Sequence, residues 1–249
     1  MIEVLADYEA VALRGAELFA LAAQEAAAAR GAFAAALSGG ETPRALYRAL
    51  ARQQFAQKVP WRRVHLYWGD ERCVPPDDQA SNYGMAHEAF IRHVPIPPEN
   101  VHRMRGEDEP LEAARAYAQE LLRPPARAAH AAADLPVFDL VLLGLGADGH
   151  TASLFPRTAA LRDEEHLVVV NEAEGSGPRL TVTVPVINAA RRVAFVVTGA
   201  AKAGMVAEVL EGLEAPDAVP AQAVHPERGS LVWLLDVAAA GELSPALRG

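Results

Sequence analysis

The chain has 249 residues, 51% hydrophobic and 22% charged, the make-up of a packed protein that buries most of its apolar surface without a disulfide or metal staple. A formal net charge of −9 argues against a nucleic-acid partner, and the single cysteine, Cys73, excludes an intrachain disulfide and thiolate metal clusters. The opening MIEVLADYEA carries acids where a signal peptide carries lysine or arginine. The apolar run 18–37 is mostly alanine broken by Gln24, Glu25 and Arg30, so a cytoplasmic protein without a membrane span is expected.

Asp7 predicts the N-cap of a helix that Gly31 ends. A strand, Phe33–Leu37, opens onto SGGETP, where Thr42 is expected to cap a helix with Pro43 first, continuing to about Gln57. The aromatic and branched segment Val64–Trp68 reads as a strand leading into the loop GDERCVPPDDQ. Ser81 or Asn82 starts a helix that stops before Pro95, residues 110–122 form another, and 124–136 reads as a loop or frayed extension. The most buried-looking strand is 138–143, followed by short strands at 167–171 and 180–183. The buried strand RVAFVVTG, a helix over 201–210 and a last strand, SLVWLLD, complete the chain. Continuous apolar strands between amphipathic helices predict an α/β fold, a mainly parallel sheet with helices on both faces, in a single domain over 1–249.

In such sheets ligands sit beyond the carboxyl ends of the strands. Four predicted strands end there in polar, glycine-bearing loops: Leu37 into SGGETP, Trp68 into GDER, Leu143 into GLGADGH and Thr198 into GAAK. SGGETP suits an oxyanion, with Gly39 and Gly40 admitting close backbone approach, Ser38 and Thr42 offering hydroxyls, and a helix N-terminus behind them. A plain turn with an N-cap is the equal alternative. Glu41 would oppose a phosphate, so its side chain is expected to turn away. GLGADG matches G-x-G-x-x-G, and Glu172 lies roughly 20 residues on, where dinucleotide folds place a ribose-binding acid. Pro156, however, leaves too little room for a crossover helix, and no cofactor is expected.

Histidine as a residue type can take a proton from water, which makes His150 the candidate base, with Asp148 either orienting it or bracing the loop. Among Asp70, Glu71 and Arg72, one acid is expected in a structural ion pair. Arg179 and Lys202, the latter one of two lysines in the chain, are candidate phosphate ligands. The eight histidines show no metal-binding spacing, so no metal is expected.

The segments LSGGETPRALY, WGDERCVPPDDQASNYGMA, LLGLGADGHTASLFP, PRLTVTVPVINAARRVAFVVTGAAKA and SLVWLLDVAAA cover nearly the whole chain. In this order they resemble the 6-phosphogluconolactonases of the glucosamine-6-phosphate isomerase/deaminase-like superfamily. DERxVPxxxxxSN combined with GxGxDGHTASLFP is far more specific than a glycine pattern alone. The resemblance implies a modified Rossmann-like fold, no required cofactor, and hydrolysis of a sugar-phosphate lactone, 6-phosphoglucono-1,5-lactone; the sequence leaves open a monomer or small homo-oligomer. Together with the strand-end loops, this makes His150, Asp148, Arg72 and Asp70 the expected catalytic set. Ser38, Gly39, Gly40, Thr42, Arg179 and Lys202 would hold the phosphate. The family commonly has serine where Glu41 stands. Deaminase relatives carry a glutamate five residues after the histidine, at the position of Phe155, and that acid is needed for their chemistry. A deaminase and a non-catalytic sugar-phosphate sensor are the alternatives, disfavoured by Phe155 and by the lack of a DNA-binding segment.

Overall fold

A computed structural model describes residues 1–126, 135–172, 175 and 177–248, so the core of the expected loop at 124–136 lies outside the described residues. After a short strand β1 (Ile2–Leu5), helix α1 (Tyr8–Arg30) starts where the Asp7 carboxylate accepts the Ala10 N–H at 2.9 Å, and ends at Gly31, whose φ of 84° only glycine adopts freely. Strand β2 (Phe33–Leu37) is buried throughout, and α2 (Glu41–Leu50) follows. Its N-cap is Gly40, two residues before the expected Thr42. With φ at 104°, Gly40 turns the chain so that its carbonyl already accepts the Arg44 N–H at 3.0 Å. Pro43 then sits third in the helix, where its missing N–H still costs no hydrogen bond. The helix also stops early, at Leu50, and a separate turn α3 (Gln53–Ala56) covers the rest of the expected length.

Next come β3 (Val64–Trp68), β4 (Asp70–Arg72), α4 (Asn82–Ala89), α5 (Pro110–Leu121) and β5 (Leu140–Leu143). The chain continues through β6 (Val168–Glu172), β7 (Pro178–Val182), α6 (Val184–Asn188), β8 (Arg192–Val197), α7 (Ala203–Glu211), β9 (Ser230–Asp236) and α8 (Pro245–Arg248). Among the described residues six strands form one parallel sheet in the order β1-β9-β8-β5-β2-β3. Helix α1 packs across β2, β8 and β9, and the mainly parallel, helix-flanked α/β fold read from the sequence is the one found. No helix among the described residues is long and apolar enough to cross a membrane.

Two features of the strand architecture also differ from the expectation. β1 is a strand that the opening residues did not suggest, because it is a half-buried edge of four residues with Glu3 in the middle. A second sheet, β4-β7-β6, is antiparallel and pairs Asp70 with Thr181, Glu71 with Leu180 and Arg72 with Arg179. Three consecutive charged residues carry no hydrophobic period, so β4 reads as loop from the sequence.

The sheet order places a switch point at the centre. β2 and β5 are neighbours, but the chain leaves β2 toward β3 on one side and leaves β5 toward β8 on the other. The crevice between diverging connections is where open α/β sheets bind ligands.

Candidate active site

A cleft of about 510 Å³ opens at this point, lined by loops from β2, β3, β5 and β8 and by the β4–β7 pair. Ser38, Gly39, Gly40, Thr42, Asp70, Arg72, His150, Arg179 and Lys202 all border it. Asp148 does not. It stands behind the imidazole, with His150 Nδ1 at 2.5 Å from its Oδ1.

The GLGADGH loop is closed on itself. The Gly146 N–H donates to the His150 carbonyl at 2.8 Å, and the Thr151 hydroxyl donates to the Gly144 carbonyl at 2.9 Å. No helix starts behind it, so it offers no helix N-terminus to a pyrophosphate. Burial pushes the Asp148 carboxyl up, but hydrogen bonds from the His150 ring and backbone outweigh it, and the group sits below its ordinary value.

The residues of GDER separate into distinct tasks. Asp70 is buried, and both its oxygens are engaged: Ser153 Oγ donates to Oδ2 at 2.7 Å and Asn82 Nδ2 to Oδ1 at 3.2 Å. Glu71 is 2% exposed and makes no ion pair among the described residues, contrary to the expectation for one of these acids, and Asp70 makes none either. Instead its carboxylate accepts the backbone N–H groups of Arg72, Asn82 and Tyr83 at 2.7–2.8 Å and the Ser81 hydroxyl at 3.1 Å. It anchors the start of α4. Burial raises the Glu71 carboxyl, with those N–H bonds pulling the other way.

Arg72 and Arg179 face each other across β4 and β7. Like charges directly opposite on a strand pair repel. Arg72 Nη1 donates to the Ala80 carbonyl at 2.8 Å, while the Nε of each arginine is buried without a partner among the described residues. Burial, and after it the charge of Arg72, push the Arg179 guanidinium below its ordinary value. Neither arginine, nor Lys202, pairs with a carboxylate among the described residues. Lys202 follows Gly199, whose N–H is held by the Asp236 carboxylate at 3.0 Å, and Thr198 Oγ1 meets Thr42 Oγ1 at 2.8 Å. Glu41 does turn away, 73% exposed and paired with Arg44 at 2.9 Å. The cleft therefore gathers cations and hydroxyls while its one acid from the glycine loop points to solvent.

Residues outside the expected set also border the cleft. Asn82, 3% exposed, holds Asp70 and packs so tightly on Gly39 that a Cβ there would lie 1.9 Å from its Oδ1. Its signal was the SN pair after the DER loop, which the capping role absorbed. Tyr8 donates its hydroxyl to the Glu41 carbonyl at 2.9 Å, and nothing near it in sequence announces that.

Residues 6–233 match the family described as glucosamine-6-phosphate isomerases/6-phosphogluconolactonase. The chain belongs to this family. It is an enzyme of that kind. A 6-phosphogluconolactonase from Nostoc is 43% identical over 244 residues, 98% of each chain, and one from Synechocystis is 45% identical over 212 residues, 84% of each. The structure of 6-phosphogluconolactonase from Trypanosoma brucei superposes with a TM-score of 0.86 at 29% identity, covering 98% of both chains. A monomeric glucosamine-6-phosphate deaminase, at 22% identity and a TM-score of 0.79, shares the fold.

Proposed function

We propose that the chain hydrolyses 6-phospho-D-glucono-1,5-lactone to 6-phospho-D-gluconate, the second step of the oxidative pentose phosphate pathway, with His150 as general base. The names of the curated relatives support the substrate. One observation carries the reading to these residues: His150 is held by Asp148 at the border of a cleft that also holds two arginines and a lysine without carboxylate partners among the described residues.

A lactone is an activated ester, so the demands on the protein are modest. With the Nδ1 proton directed at Asp148, Nε2 presents its lone pair and removes a proton from water as the water oxygen bonds to C1. Arg72 or the backbone N–H groups of the glycine loops stabilise the resulting oxyanion. On collapse the C1–O5 bond breaks, and the ring oxygen leaves with the proton that His150 had taken. Only water is consumed, so no cofactor is called for. Asp70, anchored by Ser153 and Asn82, presents a fixed carboxylate to the sugar. Ser38, Gly39, Gly40, Thr42, Arg179 and Lys202 hold the phosphate, and this local cluster overcomes the repulsion of a chain at −9. Fixing the phosphate at a distance from C1 turns binding energy into orientation.

The test is lactone hydrolysis followed above its spontaneous background, with glucosamine-6-phosphate deamination assayed in parallel. His150→Ala is expected to lower kcat by ~10²–10⁴-fold while sparing product binding. Near-normal turnover in that variant refutes the base, and deamination without lactone hydrolysis refutes the substrate.

A further inference from the structure

We infer that Phe155 is a positioning residue whose ring couples the His150 base to the Arg179 end of the cleft; the inference builds on the lactone-hydrolase reading above. Phe155 is 5% exposed and lies behind the cleft wall. Its ring centroid is 4.8 Å from that of His150 with the planes at 58°, and the guanidinium carbon of Arg179 lies 5.7 Å from the same ring. One apolar side chain therefore touches both the base and a cation of the anion site.

The backbone around it is held firmly. The Phe155 carbonyl accepts the Thr158 hydroxyl at 2.8 Å, and Asn171 Nδ2 donates to that hydroxyl at 3.0 Å and to the Ser153 carbonyl at 2.8 Å. Asn171 belongs to β6, and its Cα partner across the ladder is Arg179 on β7. The segment that carries Phe155 is thus pinned on either side of it, at Ser153 and Thr158, to Asn171 of β6, the ladder neighbour of the strand that carries Arg179.

An aromatic face attracts a guanidinium without neutralising it. Arg179 is repelled by Arg72 and has no carboxylate partner among the described residues, so the Phe155 ring supports it and leaves its charge available to an anion. A carboxylate in place of the ring would pair with Arg179 and compete with Asp148 for the imidazole. When a phosphate takes Arg179, the guanidinium shifts on the ring, and the ring shifts against His150.

The experiment compares wild type, Phe155→Leu and Phe155→Tyr by kinetics and by the ring resonances of His150 during titration with inorganic phosphate. Phe155→Leu is expected to raise KM roughly 3- to 30-fold through the lost cation–π support. It is also expected to lower kcat about 10-fold through the loosened imidazole. Phe155→Tyr, which keeps the ring, restores both. Phosphate shifts the His150 resonances in wild type and Phe155→Tyr, and that response disappears in Phe155→Leu even at saturating phosphate. A filler with no coupling role would alter the melting temperature and leave these readouts alone; unchanged kcat and KM with an intact His150 response in Phe155→Leu overturn the inference. If Phe155→Leu does not fold, wild type decides: a His150 that does not respond to bound phosphate overturns it equally. A wild type without lactone hydrolysis refutes the substrate reading, while the phosphate titration still judges Phe155.

Discussion

Gly146 lies against the imidazole of His150, and a Cβ built on it would come within 2.1 Å of Nδ1 and 2.6 Å of Asp148 Oδ1. Gly146→Ala must therefore push the ring off its carboxylate. The expected result is a kcat about 10²-fold lower, the cost of a misplacement near 1 Å, with a much smaller change in melting temperature. Steady-state kinetics beside a thermal melt checks this, and a wild-type kcat would mean that the imidazole needs no such space. The residues that border the cleft were mostly legible one by one, because histidine, arginine, lysine and hydroxyls stand in glycine loops at strand ends. Asn82 and Tyr8 were not. Each comes from a helix start, and only folding carries it beside Gly39 or Glu41.

The short elements depend on polar anchors more than on hydrophobic period. Strand β4 and helix α4 are joined through Glu71, whose carboxylate satisfies three backbone N–H groups and the Ser81 hydroxyl. Glu71→Gln puts an NH₂ where an acceptor is needed and strands at least one buried donor. The expected loss is ~1–3 kcal/mol of stability. For a chain of this size that corresponds to a melting temperature lower by roughly 2–4 °C per kcal/mol, measurable by calorimetry. An unchanged melt would show that this anchor is dispensable. Amphipathic and fully apolar segments, such as β2, β5 and β8, could be read in advance because the buried surface dictates their pattern. β1, β4 and the cap of α2 could not, since an edge strand, three charged residues and a backbone turn at Gly40 leave no such pattern.

At the scale of the whole molecule, one contribution to acid sensitivity lies at an edge of the sheet far in sequence from the GLGADGH loop. His65 on β3 meets His102 through Nδ1 and Nε2 at 3.0 Å, and His102 Nδ1 meets Glu120 of α5 at 2.8 Å, with Arg123 on the far side of that carboxylate. Burial, then the charge of His102, hold His65 down to about 4 from 6.5. The folded chain thus gives up a proton that the unfolded chain keeps between these values. The His65 contribution to stability is full above 6.5 and is lost as the pH falls through that window toward 4. His65→Phe is expected to flatten this part of the slope in urea unfolding at stepped pH. A slope identical to wild type would assign the acid sensitivity to other groups.

The sequence alone determined the α/β class, the parallel sheet and the loops rich in glycine, cation and histidine, because local polarity and period record which strands are buried and where the backbone must turn. The tertiary structure decided what those loops amount to together. Strand order puts β2 beside β5 at a switch point, and an unannounced second sheet sets Arg72 opposite Arg179. It also placed Glu71 on a helix start rather than in an ion pair, and Phe155 between base and cation. Pairing partners far apart in the chain are chosen by the packing of the whole core, and no local pattern encodes that choice.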